Sequence, residues 1–289
     1  MCGEISITDS LYPVLLRQIP DPPKVLYYKG HIEAGIFENC LAVVGSRKMS
    51  LYGKRVVESF VSDFAHVGIT VVSGFMYGID ALSHSVAVKN GGKTIAVLPC
   101  GVDIVYPSYQ QDLYDSILAS GGVLLSELPC GFKATNWTFP KRNRLVAGLA
   151  KATLVIEAGA NSGSLITARF ALKYDSKLFV VPGDVFAENS DGIYQLVREG
   201  ASLATTACDI RSFLGVQAFD MSMDVTSTVV GANIRVQEVY SLLKKQRMGL
   251  EELVMCTSMS FVELSSIITQ LELTGYIVGS GGLYYANKT

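Results

Sequence analysis

Residues 45–55 carry Arg47, Lys48, Lys54 and Arg55 with no acid among them, just after the short apolar run Leu41–Val44. Residues 131–151 repeat the pattern with Lys133, Lys141, Arg142, Arg144 and Lys151. Trp137, the only tryptophan, and Phe139 lie inside this second segment. Cations that neutralise phosphates, interleaved with rings that stack on bases, are what a single-stranded nucleic acid requires of its site. Small residues recur at similar places: Gly45-Ser46, Ser73-Gly74, Gly78, Gly159 to Ser164, and Pro182-Gly183. Glycine lets the backbone approach a ligand, and the free N–H groups at a helix start favour an anion. One such turn says only that a strand gives way to a helix. Several of them, bearing serines and cations, predict a phosphate-bearing ligand.

Signatures of catalysis are missing. No GxxxxGK[ST] stretch occurs, since Gly53-Lys54 has the wrong spacing and continues to Arg55, and the full GxGxxG fingerprint is absent. Asp80, Asp103, Glu127 and Asp184 fall near the glycine-rich loops. Asp80 opens a helix, where an acid meets the dipole favourably, and Asp184 follows a Pro-Gly turn. Structural roles are expected for these acids, and for His84 within an amphipathic helix. The six cysteines form no CxxC pair and only three histidines are present, so reduced thiols are expected, with no metal and no cofactor. A net charge of −2 argues by itself against a nucleic-acid binder, but the charge is unevenly spread.

The elements that must position these residues follow from hydrophobic patterning. Leu41–Val44, Thr70–Val72, Thr94–Leu98, Val123–Leu125, Thr153–Ile156 and Leu178–Val181 are apolar without alternation, as strands buried on both faces are. Helix-length segments separate them, near Leu51–His66, Ile79–Asn90, Tyr109–Ala119, Asn143–Ala150 and Ser164–Tyr174. The alternation predicts an α/β fold with a doubly wound, mostly parallel sheet. Ligands of such sheets bind beyond the carboxyl ends of the strands, where the basic, glycine-rich loops lie. With 289 residues, 49% of them apolar, the chain is long enough for one large domain and a small second one. The expected organisation is a Pro-rich lead-in over 1–35 with one strand-like piece, Val25–Tyr28, a Rossmann-like domain over 36–215, a linker over 216–232 and a winged-helix-like module over 233–289. In the last, three helical segments precede a glycine-tipped hairpin. No signal peptide or membrane-spanning run of ~18 apolar residues is present, which predicts a cytoplasmic protein.

Gly45-Ser46-Arg47, Ser73-Gly74 with Gly78-Ile79-Asp80, Phe139-Pro140-x-Arg142-Asn143-Arg144, Ser162-Gly163-Ser164-Leu165-Ile166-Thr167 and Pro182-Gly183 together resemble the DprA/Smf family of bacterial DNA-processing proteins. Asn189-Ser190-Asp191-Gly192-Ile193 to Glu199-Gly200-Ala201 is similar to the last Rossmann helix of that family. The resemblance runs in order over roughly residues 11 to 213. It implies an extended Rossmann-like fold, a homodimer, protection of incoming single-stranded DNA and help in loading the RecA recombinase during natural transformation. It places the DNA pocket on Arg47, Phe139, Arg142, Asn143 and Arg144, with Lys141 adding a charge at the variable position. With the loop residues, the expected site is Ser46, Arg47, Lys48, Lys133, Phe139, Lys141, Arg142, Asn143, Arg144, Ser162, Gly163, Ser164 and Thr167.

The helical SAM-like domain with which many members begin is not expected in this sequence. From Gly231 onward five basic residues face five acids, and the expected recognition helix Phe261–Leu273 has no base but carries Glu263 and Glu272. A DNA-reading helix needs donors for phosphates and base edges, so a protein-contacting role is expected for this module. A pure protein scaffold would leave the basic loops unexplained. The other alternative is a nucleotide-binding protein, or an enzyme like the Rossmann-type nucleoside-monophosphate phosphoribohydrolases with their PGGxGTxxE motif. Ala158 to Thr167 offers that motif's glycines and hydroxyl but no acid where its catalytic glutamate stands.

Overall fold

The computed structural model describes residues 2–33, 35–216 and 234–286, and the chain divides into two compact units at residues 218 and 219. In the first unit the six expected strands are β3 (Cys40–Val44), β4 (Thr70–Ser73), β5 (Thr94–Val97), β6 (Val123–Ser126), β7 (Ala152–Val155) and β8 (Lys177–Val180). Every residue of β3 to β7 is buried. Continuous apolar runs are required here because helices cover both faces of the sheet. Three further strands extend it: β1 (Gly3–Ser6), β2 (Val25–Gly30) and the two-residue β9 (Ser202–Leu203). The segment expected to be a lead-in therefore belongs to the domain. Its β1 and β2 pair antiparallel with each other, and β2 pairs antiparallel with β6. Ile5 and Leu26 enter the core from these strands; β2 contains the strand-like piece Val25–Tyr28, whereas β1 has too few apolar positions to announce it.

The strand order is β1-β2-β6-β5-β4-β3-β7-β8-β9, with β3 to β9 parallel. From β3 the chain steps outward through β4 and β5 to β6, then returns to lay β7 on the other side of β3. The order thus reverses between β3 and β7, and a crevice opens at their carboxyl ends. One face is covered by α1 (Val14–Arg17), α5 (Thr138–Gly148), α6 (Ser164–Lys173) and α7 (Asp191–Arg198), which pack Leu16, Leu145, Leu165 and Leu196 onto Ala42, Val72 and Val155. The other is covered by α2 (Leu51–His66), α3 (Ile79–Lys89), α4 (Gln111–Ala119) and α8 (Ala207–Leu214). The result is a three-layer, extended Rossmann-like fold.

Helix α5 begins at Thr138, five residues ahead of the expected start at Asn143. The Thr138 hydroxyl accepts from the Thr135 N–H at 3.1 Å and donates to the Thr135 carbonyl at 2.8 Å. Pro140 then falls in the first turn, where a missing N–H costs no helical bond. The basic motif is thus helical.

The second unit contains α9 (Ile234–Lys245), β10 (Met248–Gly249), α10 (Leu250–Thr257), α11 (Phe261–Leu273), β11 (Ile277–Ser280) and β12 (Leu283–Ala286). β12 pairs antiparallel with both β10 and β11, and Gly281 and Gly282 turn the hairpin at φ 60° and 79°. Val239, Leu243, Leu253, Leu264, Ile268 and Leu271 form its own core. Helix, short strand, two helices and a hairpin make a winged-helix module. The expected linker over 216–232 lies outside the described residues beyond Val216.

Candidate nucleic-acid interface

The crevice at the reversal point is a cleft of about 1090 Å³. Its walls come from five strand-end segments: Gly45 to Lys48 after β3, Gly74 to Tyr77 after β4, Tyr106 to Tyr109 after β5, the start of α5, and Gly159 to Thr167 after β7. The first two loops interlock. Ile79 N–H donates to the Ser46 carbonyl at 3.2 Å. Gly78, at φ 84°, lies so close that a Cβ would collide with that same oxygen, so only glycine fits. The Ser46 hydroxyl accepts from Lys48 N–H at 3.0 Å, and Asn189 donates to the Lys48 carbonyl at 2.9 Å.

This clamp leaves Arg47 at the mouth of the cleft, exposed and, among the described residues, without a carboxylate partner. Its guanidinium lies 5.5 Å from the centroid of Tyr77 and 5.8 Å from that of Phe139. Phe139 in turn meets Tyr106 at 5.5 Å. Rings hold the cation in place while leaving its donors free for an anion.

Of the expected site residues, Ser46, Arg47, Lys48, Phe139, Arg142, Asn143, Ser162, Gly163, Ser164 and Thr167 line the cleft. Lys133, Lys141 and Arg144 do not. Arg144, 4% exposed, pairs with Glu127 at 2.5 Å and with Asp21 at 3.2 Å. Positions two apart on a helix face in different directions, so Arg142 and Arg144 cannot serve the same phosphate. Lys141 pairs with Glu127 at 3.3 Å and lies over Trp137 at 5.6 Å. Lys141 and Arg144, expected among the DNA-binding residues, thus stand outside the lining of the cleft, where their ion pairs anchor α5 and the N-terminal segment.

Arg142 lines the cleft but is only 5% exposed. It donates to the carbonyls of Gly74 and Val97, tying the ends of β4 and β5 to α5. Burial lowers its pKa to about 10, against the pull of neighbouring Asp80, so it remains a cation at neutral pH. Burial pushes the Asp80 carboxyl up to about 6, with Arg142 opposing.

The other candidate acids are engaged in the fold. Asp103 accepts from Gly131 N–H at 2.9 Å, Glu127 holds Arg144, and Asp184 accepts from Phe186 N–H at 2.9 Å. His84 is fully buried against Thr94 at 2.7 Å, and burial pushes its imidazole down to about 3. Among the described residues no group of three or more His, Cys, Asp or Glu side chains is placed to hold a metal ion. No single described helix is long and apolar enough to cross a membrane.

The starts of α2 and α6 differ. At α2 the buried Glu157 carboxylate accepts from Ser50 N–H at 2.9 Å and from the Ser50 hydroxyl, which itself caps Gly53 N–H at 3.1 Å. A Cβ on Gly53 would strike that carboxylate at 2.5 Å. Dinucleotide-binding folds seat pyrophosphate at the start of this first helix. Here the chain's own carboxylate fills the place. At the start of α6 the cap position is Gly163, with no side chain to offer, and no described carboxylate fills the place; the Ser162 hydroxyl accepts from Ser164 N–H at 3.4 Å and lies 2.7 Å from the Ser164 hydroxyl. Glu157, Asn189, Tyr77, Tyr106 and Tyr109 also bear on the site, and the sequence reading does not single them out. Lying just beyond a strand's carboxyl end is a signal for Tyr77 and Glu157, a place in the family-like segment from Asn189 to Ile193 is one for Asn189, and Tyr106 and Tyr109 lie in the longer loop after β5.

Residues 4–215 match the family of DNA recombination-mediator protein A. The DNA processing protein DprA of Streptococcus pneumoniae is 40% identical over 205 residues, 71% of this chain and 72% of that one. Protein Smf of Synechocystis sp. is 29% identical, covering 97% of this chain and 79% of its own. The crystal structure of the pneumococcal protein aligns at a TM-score of 0.68 with 38% identity, over 73% of each chain. A structure of Helicobacter pylori DprA describing its single-stranded DNA binding mode aligns at 0.66 with 28% identity, over 74% of this chain and 95% of that one. With the motifs, the sheet order and the cleft all in agreement, the chain belongs to the DNA recombination-mediator protein A (DprA/Smf) family.

Proposed function

We propose that this chain binds single-stranded DNA in the crevice between β3 and β7, handling it without making or breaking a bond. The observation that carries the reading is Arg47, unpaired by any described acid and held between Tyr77 and Phe139 at the mouth of the cleft. Arg47 and Lys48 meet phosphates, the start of α6 with Ser162 and Ser164 holds another, and Phe139 stacks on a base. The carboxylate at the start of α2 speaks against the nucleotide-binding and phosphoribohydrolase alternatives, because it occupies the usual phosphate seat. In the cell such a protein shields incoming strands in the cytoplasm and helps load RecA onto them, as a homodimer. Exposed Leu203 on the edge strand β9, and exposed Phe213 packed against Phe179, offer apolar surface for a second copy.

Fluorescence anisotropy of a labelled single strand across a salt series, with duplex competitor, tests the reading. Arg47→Ala is expected to weaken binding by tenfold or more and to reduce the salt slope by ~0.7. Absence of binding by the unaltered chain at low salt would remove the proposal.

A further inference from the structure

The wall of the cleft opposite α6 is built by the loop that follows β5. Tyr106 is 39% exposed and Tyr109 is 70% exposed, and both line the cleft. This loop is fixed, not slack. Gln110 donates to the Phe75 carbonyl at 3.1 Å, Tyr114 donates to the Val102 carbonyl at 2.6 Å, and Gly101 N–H donates to the Phe132 carbonyl at 2.8 Å. Tyr106 already meets Phe139, their ring planes tilted. Tyr109, among the described residues, has no ring or side-chain hydrogen-bond partner. An exposed ring on a rigid loop covers a planar ligand at little entropic cost, and here it faces a cleft and not a neighbour.

Charge decides what this wall accepts. From Thr94 to Phe132 the chain has no lysine or arginine, while Asp103, Asp112 and Asp115 are present. A phosphate gains nothing there. The cations Arg47 and Lys48 and the start of α6, with its Ser162 and Ser164 hydroxyls, lie on the other walls. A strand in the cleft therefore turns its phosphates toward β3 and α6 and its bases toward the tyrosines.

We infer that Tyr109, supported by Tyr106, is a second base-stacking platform, so that the cleft engages at least two consecutive unstacked bases. The inference rests on the single-strand reading above and deepens it. It also gives a physical reason for rejecting duplex: paired bases have their faces covered by their neighbours and present none to Tyr109 or Phe139. The cleft, at about 1090 Å³, is large enough for more than one nucleotide.

The test compares Tyr109→Ala, Tyr109→Leu and Tyr109→Phe in the full chain, by anisotropy with a labelled oligonucleotide and by quenching of 2-aminopurine placed along it. Stacking on one ring predicts about a tenfold loss of affinity for the alanine and leucine variants. Phenylalanine should restore it, since the ring and not the hydroxyl does the stacking. The salt slope should stay unchanged in all three, unlike Arg47→Ala, because every phosphate keeps its cation. At 70% exposed, Tyr109 contributes little to folding, and unchanged thermal midpoints check this. If Arg47→Ala weakens binding while Tyr109→Ala and Tyr109→Leu do not, the second platform is wrong and the cleft reading stands. If the strand fails to bind the unaltered chain, both fall together.

Discussion

Three arginines in two neighbouring motifs have three different tasks, decided by where each guanidinium ends. Arg47 leans on rings and keeps its donors, Arg142 joins two strand ends through backbone carbonyls, and Arg144 is closed into an ion pair with Glu127. Removing one member of a buried pair leaves the other charge unsatisfied. Arg144→Ala is therefore expected to lower unfolding stability by about 2 kcal/mol, measured by urea denaturation, because it leaves Glu127, whose side chain is 19% exposed, with Lys141 as its one remaining cation among the described residues. Loss of DNA affinity in that variant should track the fraction unfolded, since Arg144 does not line the cleft. A fully folded Arg144→Ala chain that had lost binding would put Arg144 back among the groups that hold DNA. Residue type is legible in the sequence at all three positions, but direction is not. Hydrophobic patterning suggests a helix start at Asn143; with the helix beginning at Thr138, the motif acquires two faces, one toward the cleft and one toward Asp21 and Glu127.

At the scale of elements, the sequence shows what hydrophobicity controls and hides what single hydrogen bonds control. β3 to β8 are legible because a strand buried on both faces must be apolar at every position. β2 shows as the strand-like piece Val25–Tyr28, but β1 is much less legible, because an edge strand needs only Ile5 inward. The start of α2 is the clearest case of the hidden kind. Gly45-Ser46-Arg47 followed by a helix suggests a phosphate seat, yet Glu157, more than a hundred residues away in sequence, supplies the anion from within. Ser50→Ala removes both the cap of Gly53 N–H and the hydroxyl that donates to Glu157. It is expected to cost about 1 kcal/mol of stability in thermal or urea unfolding, the usual worth of a serine cap. Single-strand affinity should be retained, since the strand is proposed to use α6 and not α2. A fall in affinity beyond what the unfolded fraction explains would mean that α2 does hold a phosphate.

On the scale of the whole molecule, a slightly acidic chain segregates its charge, as the proposed binding of a polyanion requires. The first unit gathers Arg47 and Lys48 at the crevice, and the second remains balanced, with five bases against five acids from Gly231 onward. The winged-helix order invites the idea that α11 reads DNA. That helix carries Glu263 and Glu272 and no base, and Arg235 is already joined to Glu263. Beside its polar residues α11 exposes three large apolar ones: Phe261, Val262 and Leu273 are 58%, 80% and 84% exposed. Such a helix has acids that repel phosphates and no cation to hold one, so it suits a protein surface better than a nucleic acid. Because each unit has its own core, a chain ended at residue 218 is expected to fold and to keep its single-strand affinity within about twofold, a change of under 0.5 kcal/mol. Replacing Lys244, Lys245 and Arg247 by alanine in the full chain should likewise leave the salt slope unmoved, whereas removing a cation that neutralises a phosphate would reduce it by ~0.7. Truncation that cost tenfold or more in affinity, together with a shallower slope in the triple variant, would assign the second unit a share of the strand. Truncation that cost affinity with the slope intact would instead point to assembly between copies, which analytical ultracentrifugation of the two chain lengths resolves.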